Sequence, residues 1–382
     1  MAGGRGREPG REVGRARPRV VVAGLGDTGV LTAIHLSRRV DVVGISTAPA
    51  LVSGQELGLR LARPEEWARD YWVEFGRFRR LDRVRAVHGE VTGLDRRRRL
   101  VHLTGADGRE RAEPYDALVV STGVSNGFWR RPVLQSADDV AADLERAHSE
   151  LAAAGAVAVV GGGAAAVGSA YNLAARWPGK RVDLYYPGER ALPSHHGRVW
   201  ADVSRLLRER GVGLHPGHRA VVPATGADRI TVGPVEFSTG QDPVGADAVL
   251  WAIGRVRPNS GWLPRELLDD DGFVRVGPTL QTADPRIFAV GDVAATDPLR
   301  SSARNRADRL VARNVHALLA GAELAEFRAP RHRWGSVLGY QPDGLRVYAP
   351  SGRPFRLGRF VVDQGLRPWV VRRGIYRGIR DG

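Results

Sequence analysis

The sequence predicts an α/β protein with two doubly wound parallel sheets, and three observations support this. At 382 residues the chain exceeds the ~250–300 residues that one hydrophobic core usually supports, so two or three domains are expected. Strand-like and helix-like segments alternate along the chain, as they do in parallel sheets. A glycine-rich turn between an apolar strand and a helix occurs twice, within residues 20–36 and 157–174.

The first turn is "GLGDTG" at residues 24–29, between the strand "RVVVAG" and the helix "VLTAIHLSRR". Gly24 permits a tight turn, Gly26 lets the backbone approach a pyrophosphate, and Gly29 lets the helix pack on the strand. The next strand, "VDVVGIS", ends at Ser46, where an acidic residue usually binds the ribose of a dinucleotide. A serine hydroxyl binds a ribose less strongly than a carboxylate does, so loose binding is expected there.

The second turn is "GGGAAA" at residues 161–166, again between a strand and a helix. Gly161 and Gly163 match the first two glycine roles, and Ala166 takes the third. A single copy could reflect ordinary packing of a strand on a helix, but two copies 137 residues apart (161 − 24) make that alternative much weaker. Together they predict two Rossmann-like (doubly wound) dinucleotide-binding domains.

In the second unit the position of the ribose-binding acid falls on Tyr186. Arg190, His195 and His196 follow within one short loop and could meet the 2′-phosphate of NADPH. The alternative is that these three side chains belong to a polar surface loop. The residues therefore leave the choice between NADH and NADPH open.

Composition excludes several kinds of chemistry and partner. The chain has no cysteine, which excludes disulfides, thiolate metal sites and a redox-active cysteine pair. Its net charge of +15 comes from scattered arginines, so a nucleic-acid partner is not expected. Residues 1–18 are rich in glycine and arginine and are predicted to form a disordered basic tail. They lack the apolar centre of a secretory signal, and no later window offers ~18 apolar residues, so a cytoplasmic protein is expected.

Three further segments form one set of motifs together with the two glycine turns. They are "YDALVVSTGVSNG" at 115–127, "ADAVLWAIGRVRPNSGWL" at 246–263 and "RIFAVGDVAATDP" at 286–298. Together with the two glycine turns, they resemble the FAD-dependent pyridine nucleotide oxidoreductases over about residues 19–320. Because the chain lacks the cysteine pair of the disulfide reductases, it resembles the branch of apoptosis-inducing factor-like proteins and type II NADH dehydrogenases.

The resemblance implies how the chain is divided. Residues 19–132 and 273–325 would form a discontinuous FAD-binding domain, and residues 133–272 an NAD(P)H-binding domain inserted in it. Residues 326–382 would form a small α+β C-terminal interface module.

The resemblance also implies the cofactor contacts. FAD contacts are expected from Gly24, Gly26, Thr28, Gly29, Ser46, Val91, Thr122, Gly123, Gly291, Asp292 and Ser302. NAD(P)H contacts are expected from Gly161, Gly163, Ala165, Ala166, Tyr186 and Gly254. Asp292 suits the ribityl hydroxyls because a carboxylate accepts their hydrogen bonds, and its alternative role is a helix N-cap. Ser302 falls at the start of a helix whose N-terminal end is expected to face the flavin.

Gly168 departs from the pattern, because many relatives have a glutamate there that faces the nicotinamide. Its absence leaves open a nucleotide-sensing flavoprotein with slow turnover that acts through a protein partner. No catalytic acid or base and no metal ligand set is indicated.

Two segments suggest where an acceptor or a partner could bind. Residues 63–78 are predicted to be helical, with Trp67, Tyr71, Phe75 and Phe78 on one stripe that either lines the entrance of a quinone or packs in the core. The C-terminal part has a hairpin turn predicted at Asp343-Gly344 and then a basic and aromatic stretch. That stretch suits a membrane surface, and a dimer or interdomain surface is the alternative.

The expected activity is that of an FAD-dependent NAD(P)H:acceptor oxidoreductase. Hydride would pass from NADH or NADPH to FAD, and electrons would then pass to a quinone-like small molecule or an electron-carrier protein.

Overall fold

The computed structural model of the protein describes residues 17–52, 57–125, 133–254, 256–294, 296, 306–329 and 334–380. All but Arg17 and Pro18 of the tail predicted over residues 1–18 lies outside this part of the chain.

The described helices alternate with strands over most of the chain. The helices are α1 (Asp27–Leu36), α2 (Leu57–Ala62), α3 (Pro64–Tyr71), α4 (Ala137–Ala153), α5 (Ala164–Arg176), α6 (Gly197–Glu209), α7 (Ala307–Ala320) and α8 (Arg359–Val361), which continues into a π-helical segment, Val362–Ile375. The strands are β1 (Arg19–Ala23), β2 (Asp41–Ser46), β3 (Ala50–Val52), β4 (Trp72–Glu74), β5 (Val84–Asp95), β6 (Leu100–Gly105), β7 (Glu110–Pro114), β8 (Ala117–Val120), β9 (Val124–Ser125), β10 (Ala156–Val160), β11 (Arg181–Tyr185), β12 (Gly213–His215), β13 (Thr231–Val235), β14 (Val244–Trp251), β15 (Arg257–Pro258), β16 (Ile287–Ala289), β17 (Tyr340–Gln341), β18 (Gly344–Tyr348) and β19 (Pro354–Gly358).

The first sheet has seven strands in the order β16-β8-β1-β2-β5-β6-β7. The first five are parallel, and β5, β6 and β7 form an antiparallel meander. Val20 and Val22 of β1 pack in the core together with residues of α1 and α7, whereas Val21 and Ala23 belong to the core on the other face. This burial of both faces explains why β1 is continuously apolar. Since β16 pairs with β8, the first sheet combines two distant segments of the chain.

The second sheet has five strands in the order β12-β11-β10-β14-β13. Its first four strands are parallel, and β13 is antiparallel. The core on one face includes residues of α5 and α6. The predicted α/β class with two doubly wound parallel sheets is therefore confirmed, while the predicted domain boundaries remain a prediction.

The C-terminal part is a small α+β module, as predicted. Strands β17, β18 and β19 form an antiparallel meander that precedes α8. The hairpin turn lies one residue earlier than predicted, because Gln341 pairs with Gly344 and leaves Pro342-Asp343 as the loop. Gly344 has a φ of 125° and begins the strand so close to the Leu357 carbonyl that only a glycine fits.

The prediction of one helix over residues 63–78 is wrong beyond Tyr71. Residues Trp72–Glu74 form β4, which pairs antiparallel with Ala50–Val52. An aromatic and a β-branched residue favour an extended strand once a neighbouring strand can pair with them. Trp67 and Phe78 are fully buried in two different core clusters, so core packing explains them and they do not form one stripe.

Candidate functional site

A large cavity opens where β1, β2, β8 and β16 end. Its volume is about 1310 Å³, above the ~300–1000 Å³ of most small-molecule sites. The strand order reverses at β1, which lies between β2 and β8, and ligands of open α/β sheets bind at such a point. Nine of the residues expected to contact FAD line it: Gly24, Gly26, Thr28, Ser46, Val91, Thr122, Gly123, Gly291 and Asp292.

The first glycine turn has the geometry that its three glycines predict. Gly24 has a φ of 101°, its N–H donates to the Ile45 carbonyl at 2.9 Å, and a Cβ would collide with the Ser121 carbonyl. A Cβ at Gly26 would meet no described atom within 4 Å, so the backbone there is open to a ligand. Gly29 is buried against the Gly24 carbonyl, behind the described lining of the cavity. Gly29 therefore lets α1 begin directly beside Gly24, and its contact with FAD stays a prediction.

The second turn repeats this arrangement. Gly161 has a φ of 144°, its N–H donates to the Tyr185 carbonyl at 2.9 Å, and a Cβ would collide with the Ala252 carbonyl. Ala252 follows β14 as Ser121 follows β8. Gly163 again has open space around it, as Gly26 does. The two turns thus share the positive φ of their first glycine and its hydrogen bond to the end of the neighbouring strand.

The remaining residues expected at the second turn differ in their exposure. Ala166 is buried, Ala165 is half-buried and Gly254 is exposed. Tyr186 is buried, and its ring packs edge-on against Trp200 with 5.4 Å between ring centroids. Burial raises the pKa of Tyr186. Among the described residues, the lining of the 1310 Å³ cavity includes none of the six expected to contact NAD(P)H, Gly161 and Gly163 among them.

The loop after Tyr186 is held by its own hydrogen bonds. Arg190 donates to the carbonyls of His195 at 3.3 Å and Pro193 at 3.5 Å. His196 Nδ1 accepts from the Arg198 N–H at 3.2 Å and caps α6. Burial, with the nearby Arg190 charge, lowers the pKa of His195, so its imidazole favours the neutral form. A role for this loop at a 2′-phosphate stays a prediction.

The predicted cavity residues are tied to one another and to Asn259. Thr122 Oγ1 donates to the Asn259 carbonyl at 2.7 Å, and Asn259 Nδ2 donates to the Thr122 carbonyl at 3.0 Å. The Asn259 N–H also donates to the Gly123 carbonyl at 3.0 Å. Asn259 lies in the "RPNSGW" part of the segment at 246–263, and the sequence of that segment does not indicate a role for Asn259. It fixes the loop that carries Thr122 and Gly123.

The cavity walls bring together elements that are distant in sequence. At Gly291, where φ is 82°, a Cβ would lie 3.1 Å from Thr28 Oγ1, so β16 ends directly against the start of α1. Ser46 Oγ accepts from the Ala48 N–H at 3.2 Å. Asp292 begins a short 3₁₀ turn and lines the cavity. Ser302 lies outside the described residues.

Sequence reasoning missed a cationic residue of the cavity wall. Arg60 of α2 lines the cavity, and its guanidinium lies 4.8 Å from the centroid of the Trp67 ring. Burial lowers the pKa of Arg60 to about 10, while the Asp143 charge opposes that shift. The group is still charged at neutral pH, and its positive charge is only weakly screened by solvent. Its short amphipathic helix carried no motif that would have identified it.

The C-terminal module covers Gly168. A Cβ at Gly168 would lie 2.8 Å from the Val337 carbonyl oxygen. Asn172 Nδ2 donates to the carbonyls of Gly168 at 2.7 Å and Leu338 at 3.0 Å, and Asn172 Oδ1 accepts from Gln341 Nε2 at 3.1 Å. A glutamate at position 168 therefore does not fit while the bend at Val337 is docked.

The described residues lack two features, a membrane-spanning helix and a metal-binding cluster. No described helix is both long and apolar enough to cross a bilayer. No group of three or more described His, Asp or Glu side chains is placed to hold a metal ion.

Residues 18–317 match the protein family described as pyridine nucleotide-disulphide oxidoreductase. Oxidoreductase OXR1 of Ajellomyces capsulatus is 27% identical over 254 residues, which are 63% of this chain and 55% of that protein. The ferredoxin–NAD(+) reductase component of the Burkholderia cepacia anthranilate 1,2-dioxygenase system is 35% identical over 192 residues, which are 47% of this chain and 44% of that protein. The chain spans about half the length of such relatives.

Solved structures share the fold. The covalent putidaredoxin reductase–putidaredoxin complex has a TM-score of 0.57 and 24% identity, with 88% of each chain covered. An NAD-dependent persulfide reductase of A. fulgidus has a TM-score of 0.62 and 20% identity, with 91% of this chain and 65% of that chain covered.

Proposed function

The chain belongs to the pyridine nucleotide-disulphide oxidoreductase family, whose members bind FAD and use NADH or NADPH, and from this premise we propose an NAD(P)H oxidoreductase that delivers electrons to a separate acceptor. The acceptor is an electron-carrier protein, or alternatively a quinone. Because the chain has no cysteine, it holds no disulfide that could receive the electrons.

The observation that carries this proposal is that one cavity lies between the first glycine turn and loops beside the second sheet. Its lining combines Gly24 and Asp292 of the first unit with the loop 222–228 and Ile253, which lie beside the second sheet. A flavin held by the first unit and a nicotinamide held by the second would therefore meet in one space. When bound, FAD supplies hydride acceptance and electron release.

The residues present fit a dinucleotide in the first unit. The first-turn N–H groups of α1 have no intrahelical partners, and the open backbone at Gly26 lets a pyrophosphate approach them. Asp292 offers a carboxylate for sugar hydroxyls, and Gly291 lets it come close. Arg60 places a fixed positive charge on the wall, which would favour a negative charge that develops on a cofactor.

A second candidate function is a nucleotide-sensing flavoprotein with slow turnover. The covered position at Gly168 favours it, since a residue that would orient a nicotinamide there is sterically excluded by Val337. In this case the reduced protein would persist and act through a partner. The resemblance to apoptosis-inducing factor-like proteins supports the same alternative. The C-terminal module is also proposed to form a homodimer contact or a peripheral membrane contact.

The visible spectrum of the FAD-loaded protein tests both candidates. It would be recorded without oxygen before and after addition of NADH, and separately NADPH. Rapid bleaching by one nucleotide, followed by rapid return of colour with an acidic [2Fe–2S] ferredoxin or with menadione, is the expected result and identifies the acceptor. Bleaching over minutes with a persistent long-wavelength band would favour the sensor. No bleaching of bound FAD by either nucleotide would refute the oxidoreductase.

A further inference from the structure

A second cavity lies between α3 and the C-terminal module. Its volume is about 470 Å³, and five arginines line it: Arg63, Arg69, Arg359, Arg367 and Arg372. Three carboxylates share the lining, so the site carries a net charge of +2 (5 − 3). We call it the arginine pocket.

The centre of the arginine pocket is rigidly built. Arg367 pairs with Asp70 at 3.0 Å and with Asp363 at 3.4 Å, and its guanidinium lies 4.2 Å from the centroid of the Tyr340 ring. The Tyr340 hydroxyl donates to Asp363 at 3.0 Å. Arg359 also pairs with Asp363, at 3.3 Å. The acids thus hold several arginines in place. The arginines of the lining outnumber its acids by two (5 − 3), and a planar guanidinium recognises a carboxylate well.

Exposed apolar side chains flank the arginine pocket in the chain. Phe360, 79% exposed, follows Arg359, and Trp369, 61% exposed, follows Pro368. The Arg373 guanidinium lies 4.2 Å from the centroid of the Trp369 ring. Aromatic residues and arginine together are the side chains most enriched at the centre of protein interfaces.

The arginine pocket lies close to the large cavity. Arg60 lines the large cavity, and Arg63 lines the arginine pocket. The Arg63 N–H donates to the Leu59 carbonyl at 2.8 Å, so the two arginines are on neighbouring turns of one helical path, roughly 5–6 Å apart. Residues 59–63 therefore connect the walls of the two cavities.

We propose that the arginine pocket and its apolar flanks dock an acidic electron-carrier protein, with a carboxylate side chain of that protein entering the pocket. This inference rests on the proposed function and names the partner surface for it. The concave shape admits one projecting carboxylate to the five arginines of the lining. It suits an anionic bilayer poorly, because the phosphates of a flat surface do not enter a concave pocket as one projecting side chain does.

Charge reversal at two highly exposed arginines of the pocket tests the proposal and keeps Arg367 at its centre. Arg69 and Arg359 are 65% and 68% exposed as side chains, and Arg265, 66% exposed and outside the described lining of both cavities, is the matched control. The double variant Arg69→Glu/Arg359→Glu and the control Arg265→Glu would each be loaded with FAD. Calorimetry would then measure binding of an acidic [2Fe–2S] ferredoxin to the oxidised protein, with no pyridine nucleotide present.

The expected result is at least a roughly tenfold weaker affinity in the double variant, with steep salt dependence in the parent and no change in the control. Turnover of menadione with NADH or NADPH should be the same in all three proteins. Equal ferredoxin affinity in parent and double variant overturns the proposal. The proposal is also overturned if no ferredoxin binds and the parent, but not the double variant, sediments with phosphatidylserine vesicles. Ferredoxin binding without reduction by either nucleotide would refute the proposed function and leave the docking surface standing.

Discussion

The Tyr376 hydroxyl donates a hydrogen bond of 3.0 Å to Asp27 Oδ1, which ties the C-terminal segment to the first glycine turn. Asp27 begins α1 and lines the large cavity. The Tyr376 ring also packs edge-on against Phe78, with 5.4 Å between ring centroids. The orientation of a cavity carboxylate is therefore set by a residue near the far end of the chain.

Tyr376→Phe tests this link while keeping the ring contact with Phe78. Loss of a hydrogen bond to a charged acceptor should lower the free energy of unfolding by about 1.5–3 kcal/mol. FAD affinity should fall several-fold, because the Asp27 carboxylate can then turn toward the pyrophosphate. Urea unfolding and a fluorescence titration with FAD measure the two effects. Unchanged FAD affinity alongside reduced stability would mean that Tyr376 acts only on the fold.

The same tyrosine predicts a pH dependence at the alkaline end. Burial, followed by the Asp27 charge, raises the pKa of Tyr376 well above its usual value of 10. The unfolded chain loses this proton near pH 10 and the folded chain does not, so the stabilisation is complete below pH 10 and is lost as pH rises toward the folded pKa. The free energy of unfolding should therefore fall above pH 10, and fall less steeply in Tyr376→Phe. Parallel curves for both proteins would contradict this assignment.

Gly24→Ala and Gly26→Ala separate folding from cofactor binding. At Gly24 the positive φ costs an alanine roughly 1–2 kcal/mol, and the collision with the Ser121 carbonyl adds to it. At Gly26 a methyl group enters open space, so stability should stay within about 0.5 kcal/mol of the parent while FAD binding weakens. Thermal unfolding of the cofactor-free proteins and the FAD content after loading give the comparison. Gly161→Ala and Gly163→Ala repeat it for the second turn, with NAD(P)H affinity as the readout.

Gly168→Ala should loosen the C-terminal module. A methyl group 2.8 Å from the Val337 oxygen forces the backbone apart, at a cost of about 1–3 kcal/mol. Limited proteolysis should then cut first within residues 334–380, whereas Gly179→Ala, which meets no described atom within 4 Å, should be resistant like the parent. Equal resistance of both variants would show that the bend at Val337 can adjust without loosening the module.

Arg60→Gln tests the positive charge on the cavity wall. Without that charge the reduction potential of bound FAD should fall by roughly 30 mV, equivalent to about 1.4 kcal/mol for a two-electron couple. Arg60→Lys keeps the charge and should keep most of the potential. A titration against a dye of known potential measures both. If the glutamine and lysine variants had the same potential, the role of Arg60 would be packing on Trp67 alone.

The sequence predicted correctly those features that depend on residues close to one another along the chain. The apolar strand before Gly24 and the open backbone at Gly26 follow from steric rules that act within a few residues, and the repeat at Gly161 follows from the same rules. The helix predicted over residues 63–78 was wrong after Tyr71 because β4 pairs with β3, a contact that the helical spacing of its aromatics does not reveal. Arg60 belongs to no motif, and Asn259 lies in a recognised segment that does not indicate its role. The contact between Val337 and Gly168 joins residues 169 positions apart (337 − 168). Pairing and docking over such separations depend on the whole fold.

The bond between Tyr376 and Asp27 also has a consequence for how the protein is made. The ribosome adds Tyr376 to the chain 349 residues after Asp27 (376 − 27), which takes roughly 20–70 s at ~5–20 residues per second. During that time the first glycine turn can fold and meet FAD without its C-terminal partner. A nascent chain stalled before Tyr376 is therefore a distinct species, and its capture of the flavin would reveal whether the cofactor binds before the protein is complete.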